Sequence, residues 1–161
     1  MRRVLGRTAL GMVVVFGLLQ LVPYGWSHPN PPVTQAVTWP DEATESLARA
    51  ACYDCHSNES KWPAYSYVAP ASWLVRRDVE EGRAALNLSE LDQGGGDELD
   101  DAAETIQEGS MPPRKFLLLH PDARLSDAEE QQLIAAFEQL AGSHERSDDA
   151  EEEEGEDEED D

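Results

Sequence analysis

The stretch that organises this chain is RAACYDCHSNESKWPAYS, residues 49–66. It contains both cysteines of the 161-residue chain, Cys52 and Cys55, and His56 follows the second cysteine directly. Two cysteines at this spacing are typical of three kinds of site: a redox-active disulfide, part of a zinc site, or the attachment point of a c-type haem.

The rest of the sequence disfavours zinc and a redox dithiol. A structural zinc site usually has four cysteine or histidine ligands, and this chain has no third cysteine. A reactive dithiol lies at a helix N-terminus, where the helix dipole lowers the thiol pKa. Here ATESLARAA predicts a helix that ends at the cysteines, at the opposite pole of the dipole. The other histidines lie far apart in the sequence: His28, His120 and His144.

Haem attachment explains both the spacing and the histidine. Residues three apart lie on the same face of a helix, so two thiols can reach two substituents on one edge of a porphyrin. The histidine that follows can then ligate the iron. We therefore predict one covalently attached haem c, with thioethers at Cys52 and Cys55 and with His56 as the proximal iron ligand.

The N-terminal residues 1–26 predict a membrane anchor. Arg2, Arg3 and Arg7 are followed by no charged residue until Asp41. Residues 8–26 form an uncharged stretch of 19 residues, close to the ~20 that a membrane-spanning helix needs. The alternative is a cleaved signal peptide. With an uncleaved anchor, the positive end stays in the cytoplasm, which predicts a single-pass protein of the bacterial inner membrane with its domain on the periplasmic side.

Composition divides the remaining chain into three parts. Residues 27–40 are proline-rich and predict an extended tether, residues 41–144 have the size of one domain, and residues 145–161 form an acidic tail. The tail has 13 acidic residues and one arginine, which gives −12 of the net charge of −22. Like charges without apolar residues predict a disordered tail. A chain this acidic is not expected to bind nucleic acid.

Hydrophobic periodicity in residues 41–144 predicts an all-α domain of four or five short helices. The predicted helices cover residues 41–55, 70–86 and 97–108, and a last one begins at Ser126 and ends at Gly142. Ser126 and Glu129 form a capping-box pattern at the start of the last helix. Three consecutive glycines at residues 94–96 predict a flexible connection. Because apolar residues are few, we expect a large flat cofactor to complete the core.

Met111 is the candidate for the second axial position of the iron. It is the only methionine within residues 41–144, and two prolines follow it, which stiffens the backbone that presents the thioether. A methionine that only fills a gap in the core is the alternative. Among the histidines, His120 is the next candidate for this ligand, while His28 is expected to be a solvated surface residue.

These motifs resemble those of the bacterial haem-binding domain family, small membrane-anchored monohaem proteins related to class I cytochromes c. The similar stretches are LQLVPYGWSHPNPPV, ACYDCHSNESKWPAYSYVAPASWLVRRDVEEGRAALNLSEL, GSMPP and LLLHPDARLSDAEEQQL. The resemblance implies a cytochrome c-like helical fold, thioethers at Cys52 and Cys55, His56 as proximal ligand and a methionine ligand at Met111. The chain departs from the family at residues 114–116, where an aromatic pair often stands.

A haem with histidine and methionine ligands predicts a one-electron carrier rather than an enzyme. Both axial positions of the iron are filled, and the sequence has no nucleophile triad or phosphate-binding loop. The alternative is a haem-based sensor of redox state or of a small gas, in which the sixth ligand is labile. Peroxidase-like activity is not expected. The predicted partners are a redox protein, with a basic surface that complements the acidic domain, and the membrane itself.

Overall fold

A computed structural model of the chain describes residues 1–91 and 96–156. Seven α-helices lie within this part: α1 (Arg2–Leu19), α2 (Glu42–Ala51), α3 (Tyr53–His56), α4 (Ala71–Ala85), α5 (Gly96–Gln107), α6 (Arg114–Leu119) and α7 (Asp127–Glu156). Two 3₁₀ turns, Ala64–Tyr67 and Pro121–Ala123, connect them. The described residues contain no β-strand beyond one isolated bridge, between Gln35 and Glu90. The prediction of an all-α fold is confirmed for these residues.

The core lies between α5, α7 and the segment that enters α2. Leu99 and Ile106 of α5 face Leu133 and Phe137 of α7, and all four side chains are buried. Trp39 completes this cluster: its ring meets that of Phe137 edge to face at 5.4 Å between centroids. Its indole N–H donates to the hydroxyl of Tyr53 at 3.0 Å. The core is therefore directly connected to the segment between the two cysteines.

The cysteine motif interrupts what the sequence predicts as one helix over residues 41–55. Asp41 caps α2, because its carboxylate accepts from the backbone N–H and the hydroxyl of Thr44 at 2.9 and 2.8 Å. The helix ends at Ala51, and α3 begins at Tyr53. Cys52 lies between them with φ −118°, outside the usual helical range. The helical run is thus interrupted at the first cysteine.

The prediction of a transmembrane helix is wrong. No helix in the described residues is long and apolar enough to cross a membrane. Helix α1 ends at Leu19, and the part of it that follows Arg7 has 12 residues, about 18 Å of helix against the ~30 Å of a bilayer core. The uncharged stretch continues to Trp26, but the helix ends before Pro23, so the length of the stretch overstates the length of the helix. The predicted single-pass location in the bacterial inner membrane is corrected by the same finding.

The predicted disordered tail is also corrected for most of its length. Helix α7 does not end at Gly142 but continues to Glu156, so residues 145–156 are helical. Extending an existing helix needs no new nucleation, and Glu and Ala are among the better helix formers. These effects oppose the charge repulsion on which the prediction rested. Residues 157–161, and most of the glycine-rich connection, lie outside the described residues.

Residues 28–37 form an extended strap that packs along the domain. The backbone N–H groups of Thr34 and Gln35 donate to the carbonyl of Ser89, and that of Val37 donates to Leu88, at 3.0–3.1 Å. Asn30 donates to the carbonyl of Ser60 at 2.9 Å. The proline-rich segment, predicted as an extended tether, is therefore held against the residues that follow the cysteine motif.

Candidate functional site

A cavity of about 520 Å³ lies at the cysteine motif. This volume lies within the ~300–1,000 Å³ of typical ligand sites. Helices α3, α4, α5, α6 and α7, the end of α2 and the segment before α6 contribute to its wall. The wall brings together four of the residues that the sequence predicts for the site: Cys52, Cys55, His56 and Met111.

His56 is oriented by the segment that follows α4. Its Nδ1 lies 3.2 Å from the carbonyl oxygen of Leu86. A carbonyl oxygen can only accept, so this hydrogen bond places the ring hydrogen on Nδ1 and leaves the lone pair of Nε2 available. Burial lowers the pKa of His56, which favours the neutral imidazole. A neutral ring whose other nitrogen donates to a backbone carbonyl is the usual state of a metal-ligating histidine.

The two cysteines line the cavity as free thiols. Burial raises the pKa of the Cys52 thiol to about 12 and that of the Cys55 thiol to about 11. Both groups are therefore protonated near neutral pH. A reactive redox dithiol needs a thiolate of low pKa, so the structure argues against that alternative for Cys52 and Cys55.

Gly82 allows α4 to lie directly on the motif. A Cβ atom at this position would lie 2.6 Å from the backbone oxygen of Cys55 and 3.0 Å from its carbonyl carbon. The contact is with backbone atoms, which cannot turn aside as a flexible side chain could. No side chain larger than hydrogen fits at this point unless α4 moves away from Cys55.

Met111 is presented to the cavity by a turn at the end of α5. The N–H groups of Ser110 and Met111 both donate to the carbonyl of Thr105, at 3.0 and 3.2 Å. Gly109 permits this turn with φ +70°, a value that favours glycine. Met111 is 36% exposed, so its thioether meets both the cavity and the solvent side of its wall.

His120 lies in a neighbouring cavity of about 210 Å³, which shares Cys55, Asp78, Lys115 and Phe116 with the cavity of His56. Its Nδ1 lies 3.0 Å from the carbonyl oxygen of Phe116, and its ring stacks on Phe116 at 4.0 Å between centroids. Its Nε2 lies 3.4 Å from the hydroxyl of Tyr65. The structure thus places Met111 in the same cavity as His56 and places His120 outside it.

The charged groups of the cavity wall are mostly acidic. Lys115 is the one cation among the described residues that line it, and its Nζ lies 2.7 Å from Oδ1 of Asp78. This ion pair connects α6 to α4. The acidic residues of the wall are Asp78, Glu81, Glu98 and Asp101.

A buried polar network behind the motif was not predicted from the sequence. Ser57, Asn58 and Ser60 are buried immediately after His56. The N–H of Asn58 donates to the hydroxyl of Ser89 at 3.0 Å, and its side chain donates to Glu90 at 2.7 Å. The composition of SNES gives a signal, since four polar residues after the predicted ligand His56 suggest hydrogen bonding, but these partners of Asn58 lie 31 and 32 residues away in the chain.

His28 was expected to be a solvated surface residue, and this is wrong. Its Nε2 lies 3.0 Å from the hydroxyl of Ser66. Its ring lies against two aromatic rings, at 4.6 Å from Trp62 and 4.1 Å from Tyr67 between centroids. His28 thus connects the start of the strap to the loop that follows the motif. Local sequence periodicity carries no information about these contacts between distant residues.

The donor set of the cavity fits a haem. A neutral imidazole with a free Nε2, a thioether in the same cavity and two protonated thiols at its wall are the groups that a haem c requires. The apolar residues of the wall, among them Leu86, Leu133 and Phe137, suit a large flat macrocycle. The predicted haem is thus compatible with the geometry.

Comparison with known proteins agrees with this fit. The chain is similar to cytochrome c peroxidase Ccp of Escherichia coli (strain K12), with 27% identity over 142 residues. The aligned region covers 80% of this chain but 30% of that protein, so the chain spans less than a third of its relative. No solved structure matches. A family model for the haem-binding domain matches residues 14–139, which is well over half of the chain, and the chain therefore belongs to the haem-binding domain family.

Proposed function

We propose that this domain carries one covalently attached haem and transfers single electrons. The observation that carries the proposal is the hydrogen bond from Nδ1 of His56 to the carbonyl of Leu86, in the same cavity as Met111. This hydrogen bond leaves the lone pair of Nε2 of His56 free, on one side of the cavity, to ligate a metal ion. A haem ligated by His56 and Met111 supplies an iron that cycles between its ferrous and ferric states.

Covalent attachment would use the two thiols without any oxidant. Each S–H group would add across one vinyl C=C bond at the haem edge: the S–H bond and the π bond would break, one S–C bond would form, and the hydrogen would go to the neighbouring vinyl carbon. Cys52 and Cys55 are free and protonated, which is the state that this addition consumes. A disulfide between them would first have to be reduced.

The carrier function requires no catalytic group from the protein. With His56 and Met111 as ligands, no iron position remains for a substrate. Peroxidase activity is a property of the named relative, of which this chain covers less than a third, and we do not extend it to this domain. We propose instead that the domain relays electrons to or from another protein.

A sensor with a labile sixth ligand is the second candidate. Two observations favour it: Met111 is 36% exposed, and α6, which follows its turn, has no buried residue. A weakly held loop could release the thioether and admit a small gas to the iron. The carrier and the sensor therefore differ in how firmly Met111 stays bound.

Optical spectra of the full protein with haem attached distinguish these two candidates. For a carrier, we expect a low-spin ferric spectrum with the weak far-red band of sulfur ligation, and slow or no reaction of the reduced form with carbon monoxide. Met111→Ala should remove that band, open the iron to carbon monoxide and lower the reduction potential, since methionine ligation raises it.

His120→Ala is the matched control for the ligand variant, because His120 lies outside the cavity of His56. Its spectrum should equal that of the unaltered protein. Loss of the low-spin spectrum in His120→Ala, with retention in Met111→Ala, would contradict the assignment. Rapid carbon monoxide binding by the unaltered protein would favour the sensor.

We also propose that the redox partner has a basic surface. Residues 8–144 carry 21 acidic residues and 8 lysines and arginines, hence −13, and residues 145–161 add −12. Charges on this scale attract a basic partner at a distance, and salt screens them beyond ~10 Å at 0.1 M. Near the cavity, the cations Arg114 and Lys115 stand in mostly acidic surroundings, and Asp78 compensates the charge of Lys115 at 2.7 Å.

Added salt should therefore slow electron transfer to a basic acceptor protein and leave transfer to an acidic acceptor unslowed. Deleting residues 145–161 removes more than half of the net charge and should weaken the salt dependence without altering the haem spectrum. Stopped-flow rates across a salt series, for the full and the shortened chain, test this. Equal salt slopes for the two chains would show that the tail plays no part in the encounter.

A further inference from the structure

Arg83 of α4 is the centre of a hydrogen-bond network behind the cysteine motif. Its Nε donates to the carbonyl of Ser57 at 2.7 Å, and one terminal nitrogen donates to the carbonyl of Pro29 at 3.0 Å. The other terminal nitrogen donates to Oδ1 of Asn30 at 3.2 Å and to the hydroxyl of Ser60 at 2.9 Å. One guanidinium thus joins three segments: α4, the strap and the residues after the motif.

The network holds His56 through its neighbour in the chain. Ser57, which accepts from Arg83, is covalently attached to His56. Gly82, which directly precedes Arg83 in α4, lies against the backbone of Cys55. Two successive residues of α4 therefore fix the chain on both sides of His56. Nδ1 of His56 is fixed by Leu86, so that the backbone and the ring are both held by α4 and the residue that follows it.

Arg83 also differs from the other arginines of the helices nearby in its charge environment. Arg49, Arg76 and Arg77 each form an ion pair with a glutamate four residues away. Within residues 1–91 and 96–156, Arg83 forms no ion pair; its acceptors are two carbonyls, one amide and one hydroxyl. Desolvation lowers the pKa of its guanidinium. Of these four arginines, Arg83 is thus the one without an ion-pair partner in the part of the chain that the structure describes.

We propose that Arg83 is a positioning residue for His56 and that its unpaired charge raises the reduction potential of the haem held there. The inference rests on the proposed function, because it needs an iron on His56. Oxidation adds one positive charge at the iron, and a nearby fixed cation opposes that change. The hydrogen bond to Ser57 keeps this cation at a fixed place beside the ligand.

Four substitutions in the full protein with haem attached test the proposal. Arg83→Met removes the charge and all hydrogen-bond donors of the side chain, and Arg83→Gln removes the charge but keeps one amide donor. Arg83→Lys keeps the charge but loses the planar guanidinium, whose three nitrogens donate in different directions. Arg77→Met is the matched control, since it removes an exposed arginine of the same helix. Haem retention is read by mass spectrometry of the denatured protein, and the potential by redox titration.

For Arg83→Met, we expect the reduction potential of the haem to fall by about 59 mV. For one electron, this shift corresponds to about a tenfold change in the ferric-to-ferrous ratio. Arg83→Gln should give a similar shift, and it is the neutral variant to use if Arg83→Met does not fold. Arg83→Lys should restore at least half of the shift. The proposal is overturned if the reduction potentials of Arg83→Met and Arg83→Gln are both no lower than that of Arg77→Met. It is also overturned if the potential of Arg83→Lys is as low as the potentials of these two neutral variants.

These outcomes are separable from a failure of the proposed function. If the unaltered protein retains no haem, covalent attachment itself is wrong. If it retains haem and the Arg83 variants keep its potential, only the role of Arg83 is wrong. The ring orientation of His56, read from the hyperfine-shifted proton spectrum of the ferric haem, should also change in Arg83→Met and stay unchanged in Arg77→Met.

Discussion

Replacing Cys52 and Cys55 together by alanine is expected to reduce the mass of the denatured protein to that of its polypeptide. The unaltered chain, matured in a host that attaches haem, should keep the mass of one haem under the same conditions. The reason is that these are the only two cysteines of the chain, and both line the cavity as free thiols. Without them no S–C bond can hold the group when the fold is lost.

The single variants and a ligand variant are the controls for this result. Cys52→Ala and Cys55→Ala each leave one thiol, so each should retain haem, in lower yield. Met111→Ala should retain the full haem mass, since the bond proposed for its thioether is to the iron and not to a porphyrin carbon. An unaltered chain at its bare polypeptide mass would refute covalent attachment.

Gly82→Ala is expected to cause the largest loss of stability among single substitutions at the site. The new Cβ would lie 2.6 Å from the oxygen of Cys55 and 3.0 Å from its carbonyl carbon and Cβ. Overpacking of a well-packed site costs about 1–3 kcal/mol, and here the atoms in the way are mostly backbone. Displacing α4 would also move Leu86 away from Nδ1 of His56, so haem loading should fall together with stability.

Gly142→Ala is the matched control for this substitution. Gly142 also lies within a helix, α7, but a Cβ there has nothing within 4 Å. Alanine is favoured over glycine in a helix interior by ~1 kcal/mol, so stability should stay the same or rise. Denaturant unfolding of both variants, with haem content measured in parallel, decides the comparison. If the Gly82→Ala protein is as stable as the Gly142→Ala protein, then α4 can move away from Cys55 without a loss of stability, and the prediction is wrong.

The residues that could be predicted are those whose signals are local. Ser126 and Glu129 stand in a capping-box pattern, and the structure has the Glu129 carboxylate accepting from the N–H of Ser126 at 2.7 Å, with α7 beginning at the next residue. The proline rule predicts that Pro70 opens a helix at its first turn, and α4 begins one residue later, at Ala71. The motif and Met111 were likewise identified from spacing and from neighbouring prolines, and the structure places them in one cavity.

What was missed depends on contacts between distant parts of the chain. The partners of Arg83 lie 23 to 54 residues away, and a hydrophobic period carries no information about them. Helix α6 escaped prediction because its six residues have no buried face. The anchor prediction failed for a different reason: it used the length of an uncharged stretch, whereas the helix itself ends at Leu19.

The strap determines how much of the chain must be present for the domain to fold as a unit. A fragment that begins at residue 41 would lack Trp39, whose ring fills part of the core. It would also leave the side-chain N–H of the buried Asn58 without the carbonyl of Pro32 that accepts from it, and the more exposed donors of Arg83 without Pro29 and Asn30. Unsatisfied buried donors cost ~1–3 kcal/mol each. We therefore expect that the smallest fragment that folds on its own starts at or before His28. The proline-rich residues contribute to the haem site because they hold the residues behind the cysteine motif in place.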